Sequence, residues 1–126
     1  MPTRVLLSVK PQFAEAILTG RKTFEFRRAL FRRPDIDTVV LYASSPTCKV
    51  VGEFTIAEVL SLALDALWKT TRHGGGIDRD YFDRYFEGLA EGYALKVKRA
   101  RRYRSPLCLR EDLGILHPPQ SFCYLE

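Results

Sequence analysis

The stretch GRKTFEFR, residues 20–27, sets Lys22, Glu25 and Arg27 close together and interleaves them with Phe24 and Phe26. A lysine, a carboxylate and a guanidinium at one place can act in two ways. As a binding site, Lys22 and Arg27 meet phosphate or carbonyl oxygens, while Glu25 accepts from a base amino group or orients the lysine. As a catalytic site, a desolvated Lys22 with a lowered pKa serves as base or nucleophile toward an amide, and Glu25 is the alternative general base. A neighbouring carboxylate favours charged lysine, so Glu25 tips this reading toward binding.

Parity decides which of these groups can meet. In a strand, Phe24 and Phe26 share one face, and Thr23, Glu25 and Arg27 share the other. Glu25 and Arg27 then form a same-face ion pair, worth only about 0–1 kcal/mol if exposed. Lys22 has the wrong parity and joins them only if the turn after Gly20 reorients it.

Further polar candidates lie elsewhere. Ser8 and Lys10 flank the start of a helix whose N–H groups suit an anion, with simple capping as the plainer reading. Ser44 and Ser45 line a cleft mouth or make a turn with Pro46. His73, before three glycines, reads as a loop residue, and that loop would be a lid if it moves. Cations concentrate in two segments, although the net charge is only +5. One holds Arg28, Arg32 and Arg33; the other holds Lys96, Lys98, Arg99, Arg101, Arg102 and Arg104. Strict alternation puts Lys96, Lys98, Ala100 and Arg102 on one face of a strand. Such segments either track a nucleic-acid backbone or protect an edge strand from aggregation.

The elements that must position these groups follow from pattern. Residues 4–9 read as a strand. Pro11 opens a helix with Phe13, Ala14, Ile17 and Leu18 on one stripe, and Gly20 closes it. Residues 22–28 alternate as a strand, and 29–37 form a basic loop. Strands follow at 38–43 and 49–59, with Gly52 as a bulge. Ser61 caps a helix whose Leu64, Leu67 and Trp68 face inward. HGGGI is a flexible joint. Asp78 caps the next helix, with Ile77 and Phe82 as a staple and Tyr81, Phe82, Tyr85, Phe86 and Leu89 as its inner stripe. Glu91-Gly92 breaks it. Strands at 93–103 and 121–125 bracket an irregular stretch with a short turn near 110–113. The expected fold is one α+β domain over residues 1–126: a small, mostly antiparallel sheet curled or closed into a barrel, with flanking helices.

Composition bounds the function class. Hydrophobic content of 46% and charged content of 28% are ordinary for a globular chain, and the pI near 9.3 makes an anionic partner plausible. Three widely spaced cysteines and two distant histidines support neither a disulfide framework nor a metal site. No metal or other cofactor is expected. The N-terminal run reads as no signal peptide, no stretch reaches membrane-spanning length, and a reducing cytoplasm is the default.

Gly20, Lys22, Glu25 and Arg27 match a G-x-K-x-x-E-x-R pattern, and in this respect the chain resembles the ASCH domains of the PUA-like superfamily. YASSP, KVVGEF and the closing PPQSFCYL extend the resemblance over nearly the whole chain. It implies a PUA-like β-barrel with flanking helices and a cleft beside the signature. It also implies RNA or a modified nucleoside or nucleotide as partner, and polar groups of Gln120, Ser121 and Tyr124 facing the cleft. One branch of the family is similar to amidohydrolases acting on N4-acetylcytidine, with the signature lysine, here Lys22, as a principal catalytic group. This chain departs from that branch in having Glu25 where it has threonine. Ribonuclease activity is also associated with the family.

Overall fold

A computed structural model describes residues 4–125. In chain order the elements are β1 (Arg4–Val9), α1 (Pro11–Leu18), β2 (Phe24–Arg27), β3 (Thr38–Ala43), β4 (Lys49–Ala63), α2 (Leu64–Thr71), α3 (Arg79–Tyr85), β5 (Glu91–Leu107), α4 (Leu109–Leu113) and β6 (Phe122–Leu125). The α+β class and the mostly antiparallel pairing match the sequence reading. The six strands form one sheet in the order β2-β5-β4-β3-β1-β6. β1 and β3 run parallel, as a connection through α1 allows, and the other pairings are antiparallel.

The expected barrel closure is not what the pairing shows. β2 and β6 are the two ends of the sheet and share no ladder. Side chains, not strand bonds, join the ends. Arg27 Nη2 donates to Ser121 Oγ at 2.5 Å, and the Phe31 and Phe122 rings pack edge to face. Tyr124 Oη accepts the backbone N–H groups of Arg32 and Arg33. Four-residue end strands leave little ladder to share, and the gap is bridged by side chains of β2, of the loop after it and of β6.

Three apolar clusters hold the layers together. On one face, Leu7, Val9, Val39, Leu41 and Phe54 pack against Ala14 and Ile17 of α1. On the other, Phe26 and Ala94 pack under Leu67 of α2 and Phe82 and Phe86 of α3. A third group sets Leu6, Val40, Tyr42 and Val50 against Leu109 of α4. Trp68 belongs to the second cluster, its ring against Phe82, in keeping with a core role.

Two strands are longer than the sequence pattern indicates. β4 runs on to Ala63, so Ser61 pairs with Tyr93 and caps nothing; Ala63 is the N-cap of α2 and offers no side-chain bond. β5 begins at Glu91, where the pattern reads only a helix break. Gly92 permits this start, because a Cβ there would lie 2.5 Å from the Phe86 ring. Asp78 does cap α3, accepting from Tyr81 N–H at 2.8 Å. Among the described residues, no helix is long and apolar enough to cross a membrane.

Register shifts break strict alternation between β4 and β5. One separates Val50 from Gly52, where a Cβ on the glycine would meet the Arg101 carbonyl at 2.6 Å. Another lies between Thr55 and Ile56, and across it Arg99 and Val97 are the partners, leaving Lys98 as the extra residue. Val97 and Ala100 therefore both reach the cluster beneath α1. The single basic face expected from alternation, Lys96, Lys98 and Arg102 together with Ala100, is split at this bulge.

Candidate functional site

Lys22 lies outside β2, in the turn that follows α1. Gly20 adopts φ +82°, which a side chain would resist, and this bend carries the chain from helix to strand. The turn is pinned on three sides. Lys22 N–H donates to the Ala16 carbonyl at 3.0 Å, Thr23 N–H to the Gly74 carbonyl at 2.7 Å, and Val97 N–H to the Thr23 carbonyl at 2.9 Å. The geometric condition left open by parity is thereby met: Lys22 lines the same cleft as Glu25 and Arg27.

The lysine is 2% exposed, an extreme burial for this residue type. Its Nζ donates to the Gly75 carbonyl. It also sits 5.1 Å from the Phe13 ring centroid and 4.8 Å from that of Phe26. The glycines after His73 make this enclosure possible. A Cβ at Gly75 would come within 2.9 Å of the Phe26 ring, and one at Gly76 within 3.2 Å of the Lys22 stem. The HGGGI segment is thus a packed wall of the site, and Gly75 is itself buried. His73 is exposed and does not line the cleft.

Glu25 and Arg27 are 5% and 8% exposed, and their ion pair closes at 3.5 Å. They share the β2 face that points toward β1 and β6, and Arg27 spans to Ser121. Burial pushes the Lys22 ammonium below its ordinary range, and the Glu25 charge only partly restores it. Burial pushes the Glu25 carboxyl above its ordinary range, against the opposing pull of Lys22 and Arg27. Both shifts run toward the neutral forms. Desolvation therefore outweighs the attraction between the two groups, the reverse of the balance inferred from adjacency in sequence.

The cleft has a volume of about 230 Å³. Ser8, Val9 and Lys10 form its β1 side, and Gln120 enters from the segment before β6. Ser121 does not line it but holds Arg27. Ser44 and Ser45 line an adjoining groove of about 470 Å³ that shares Ser8, Val9, Lys10 and Gln120 with the cleft. The remaining wall is aromatic: Phe13, Tyr81 and Tyr85, with Ile77. The sequence pattern assigned these rings to apolar stripes of α1 and α3. Tyr85 Oη donates to the Phe26 carbonyl at 3.0 Å, and the Lys10 Nζ stands 5.3 Å over the Tyr81 ring. The available clue was tyrosine at both positions, four apart on one helix face, where Phe82 and Phe86 already supply the core.

The basic residues are dispersed. Arg28 donates to the carbonyls of Tyr85 and Glu87 at the end of α3, and Arg33 pairs with Asp35. Arg102 pairs with Glu15 and Arg101 with Glu53. Lys96, Lys98, Arg104 and Arg32 are exposed, and none of them lines the cleft. Among the described residues, no group of three or more His, Cys, Asp or Glu side chains is placed to hold a metal ion.

Comparison with known proteins bears on this arrangement. The ASCH domain profile matches residues 7–98. An ASCH domain-containing ribonuclease of Zymomonas mobilis is 28% identical over 124 residues, covering 96% of this chain and 83% of the relative. The large ribosomal subunit protein uL22 of Ureaplasma parvum is 36% identical over 88 residues, or 70% of this chain, but the match spans only 28% of that protein. Among solved structures, the crystal structure of ASCH from Zymomonas mobilis superposes with a TM-score of 0.90 at 27% identity, over 100% of this chain and 90% of that one. The N-terminal domain of Staphylothermus marinus McrB, 13% identical with a TM-score of 0.54, shares the fold alone, covering 90% of this chain and 80% of that one. The profile spans most of the sheet, including the turn that carries Lys22 and the strand β2 that carries Glu25 and Arg27, and on that match the chain belongs to the ASCH domain family.

Proposed function

We propose that this protein binds RNA with one nucleotide seated in the cleft and cleaves the phosphodiester held there. The observation that carries the reading is the burial of Lys22 against Glu25, with Arg27 beside them, in a cleft walled by aromatic rings. The rings suit a base and Arg27 suits a phosphate. The likeness to a ribonuclease along nearly the full chain supports the same substrate class.

The chemistry needs a base and an acid with shifted pKa values, and desolvation supplies both. Neutral Lys22 takes the proton of a ribose 2′-hydroxyl. The 2′-oxygen attacks phosphorus, forming a cyclic phosphate, and the P–O bond to the 5′-oxygen breaks. Protonated Glu25 supplies the proton that this oxygen gains. Arg27, oriented by Ser121, stabilises the charge that builds on the phosphoryl oxygens. The exposed cations Lys96, Lys98 and Arg104 add sequence-independent attraction that weakens with salt.

The test is cleavage of a panel of fluorescently labelled single-stranded RNAs at low salt. Lys22→Met is expected to reduce the rate by about 10²–10⁴-fold while RNA binding persists. Retained cleavage in that variant, with the fold intact, would falsify the role given to Lys22. Failure of the parent protein to bind any RNA would remove the substrate class.

A further inference from the structure

Beside the cleft lies a second cavity whose walls are both hung from the end of β1. One wall is the β3–β4 turn, held by Ser44 N–H donating to the Val9 carbonyl at 2.9 Å. The other is the segment at Pro118 and Pro119, held by Ser8 Oγ donating to the Pro119 carbonyl at 2.7 Å. Adjacent residues of one strand thus anchor the two sides, and the groove between them shares Ser8, Val9, Lys10 and Gln120 with the cleft.

The size and chemistry of the two spaces differ. The cleft, about 230 Å³, falls below the roughly 300–1,000 Å³ usual for drug-sized ligands and suits a single base or nucleoside. The groove, about 470 Å³, adds room for a further unit. Its prolines offer flat apolar surface. The hydroxyls of Ser44 and Ser45 and the amide of Gln120 make no hydrogen bond among the described residues and are available to a ligand. Lys10 stands at the junction of cleft and groove, where a linking phosphate would pass.

We infer that the groove between Ser44-Ser45 and Pro118-Pro119 is a second nucleotide subsite, so that the protein engages an oligonucleotide strand rather than an isolated nucleoside. This rests on the nucleotide reading of the cleft and extends it. Lys10 contacts the phosphate between the two units, and the serine hydroxyls and Gln120 contact the second sugar or base.

The experiment measures affinities of 2′-O-methyl mononucleotides and 2′-O-methyl homotrinucleotides, which cannot be cleaved through the 2′-hydroxyl. The trinucleotide of the preferred base is expected to bind at least about tenfold more tightly than its mononucleotide, as a tethered second contact requires. Two variants plug the groove from opposite walls, Ser45→Trp and Pro118→Trp, both at exposed positions. Each is expected to abolish the gain and leave mononucleotide affinity unchanged. If the mononucleotide binds and the trinucleotide gains nothing, or if the gain survives both plugs, the second subsite is wrong while the cleft reading stands. If neither ligand binds, the nucleotide reading and this inference fall together.

Discussion

Lys22 is costly to keep where it is. A buried ammonium forfeits its hydration, and one carbonyl, two ring faces and a carboxylate return only part of it. A side chain selected for stability alone would be apolar. Lys22→Met removes that cost while Glu25 keeps Arg27 as its partner, so the variant should fold, with stability unchanged or raised in urea denaturation at neutral pH. The sign of its pH dependence follows from linkage. Because the folded pKa lies below the ordinary 10.5, the unfolded chain binds the extra proton, and the penalty in the parent fades as pH rises toward that value. The advantage of the methionine variant should shrink over the same range. A variant that is less stable at every pH would mean that Lys22 is a structural contact. Catalysis gives a second readout from Glu25. The rate should depend on pH as a bell, with apparent values belonging to the coupled pair. The rising limb lies below 10.5 and the falling limb above 4.5. Glu25→Gln removes the group that must be protonated, so its residual activity should keep the rising limb of Lys22 and lose the falling limb. A falling limb that persists in the variant would take the acid's role away from Glu25. The identity of the three charged residues was legible from GRKTFEFR, and so was the shared face of Glu25 and Arg27. The burial of Lys22 was not, because it depends on a carbonyl 53 positions away and on rings from other elements.

At the scale of elements, the glycine run between α2 and α3 does what no side-chain-bearing segment could. It lays backbone against Thr23, Phe26 and Lys22 at once. Composition alone suggests a flexible joint there, because glycine signals freedom when nothing is known to be packed against it. Gly75→Ala is expected to force a Cβ toward the Phe26 ring at 2.9 Å and the Thr71 carbonyl at 3.2 Å. The loop must back away and carry the Gly75 carbonyl off Lys22. A stability loss of about 1–3 kcal/mol should accompany a fall in kcat. Gly52→Ala is the matched control. Its Cβ meets the Arg101 carbonyl at 2.6 Å and the Leu18 side chain at 2.7 Å, neither of which lines the cleft, so it should lose comparable stability while keeping kcat. Equal losses of kcat in both would show that the loop has no special hold on the site. The same scale explains where sequence pattern stops. The end of β4 alternates half-buried Leu60 and Leu62 with exposed Ser61 and Ala63, but Leu64 and Leu67 continue the leucines at helical spacing and hide the boundary, and β5 opens on exposed Glu91. Lys98 sits among exposed cations, so nothing in the residue types marks the bulge that splits the basic face. Conversely, β3 and the first half of β4 were legible, because every second residue or more is buried.

Across the whole molecule, the cleft lies where the two ends of an open sheet come together. β2 brings Glu25 and Arg27, the turn before it brings Lys22, and the approach to β6 brings Gln120 and Ser121. The site is therefore only as well formed as the junction of the ends, and no strand ladder secures that junction. Part of the load falls on Tyr124, whose single oxygen accepts from Arg32 N–H at 3.0 Å and Arg33 N–H at 3.2 Å, while the Arg33 guanidinium lies over its ring. Tyr124→Phe keeps the ring and removes the acceptor. Leaving these donors without their protein partner should cost about 1–3 kcal/mol of folding stability where they remain out of reach of water. The consequence for function is more specific. Hydrogen exchange at residues 32 and 33 should accelerate, followed by exchange along β6, while the ladder between β3 and β4 stays protected. Ser121, carried by the approach to β6, should then hold Arg27 less firmly, and KM for RNA should rise more than kcat falls. Unchanged exchange at β6 alongside weakened RNA binding would detach the site from the junction; faster exchange with unaltered KM would show that β2 alone is enough to position it.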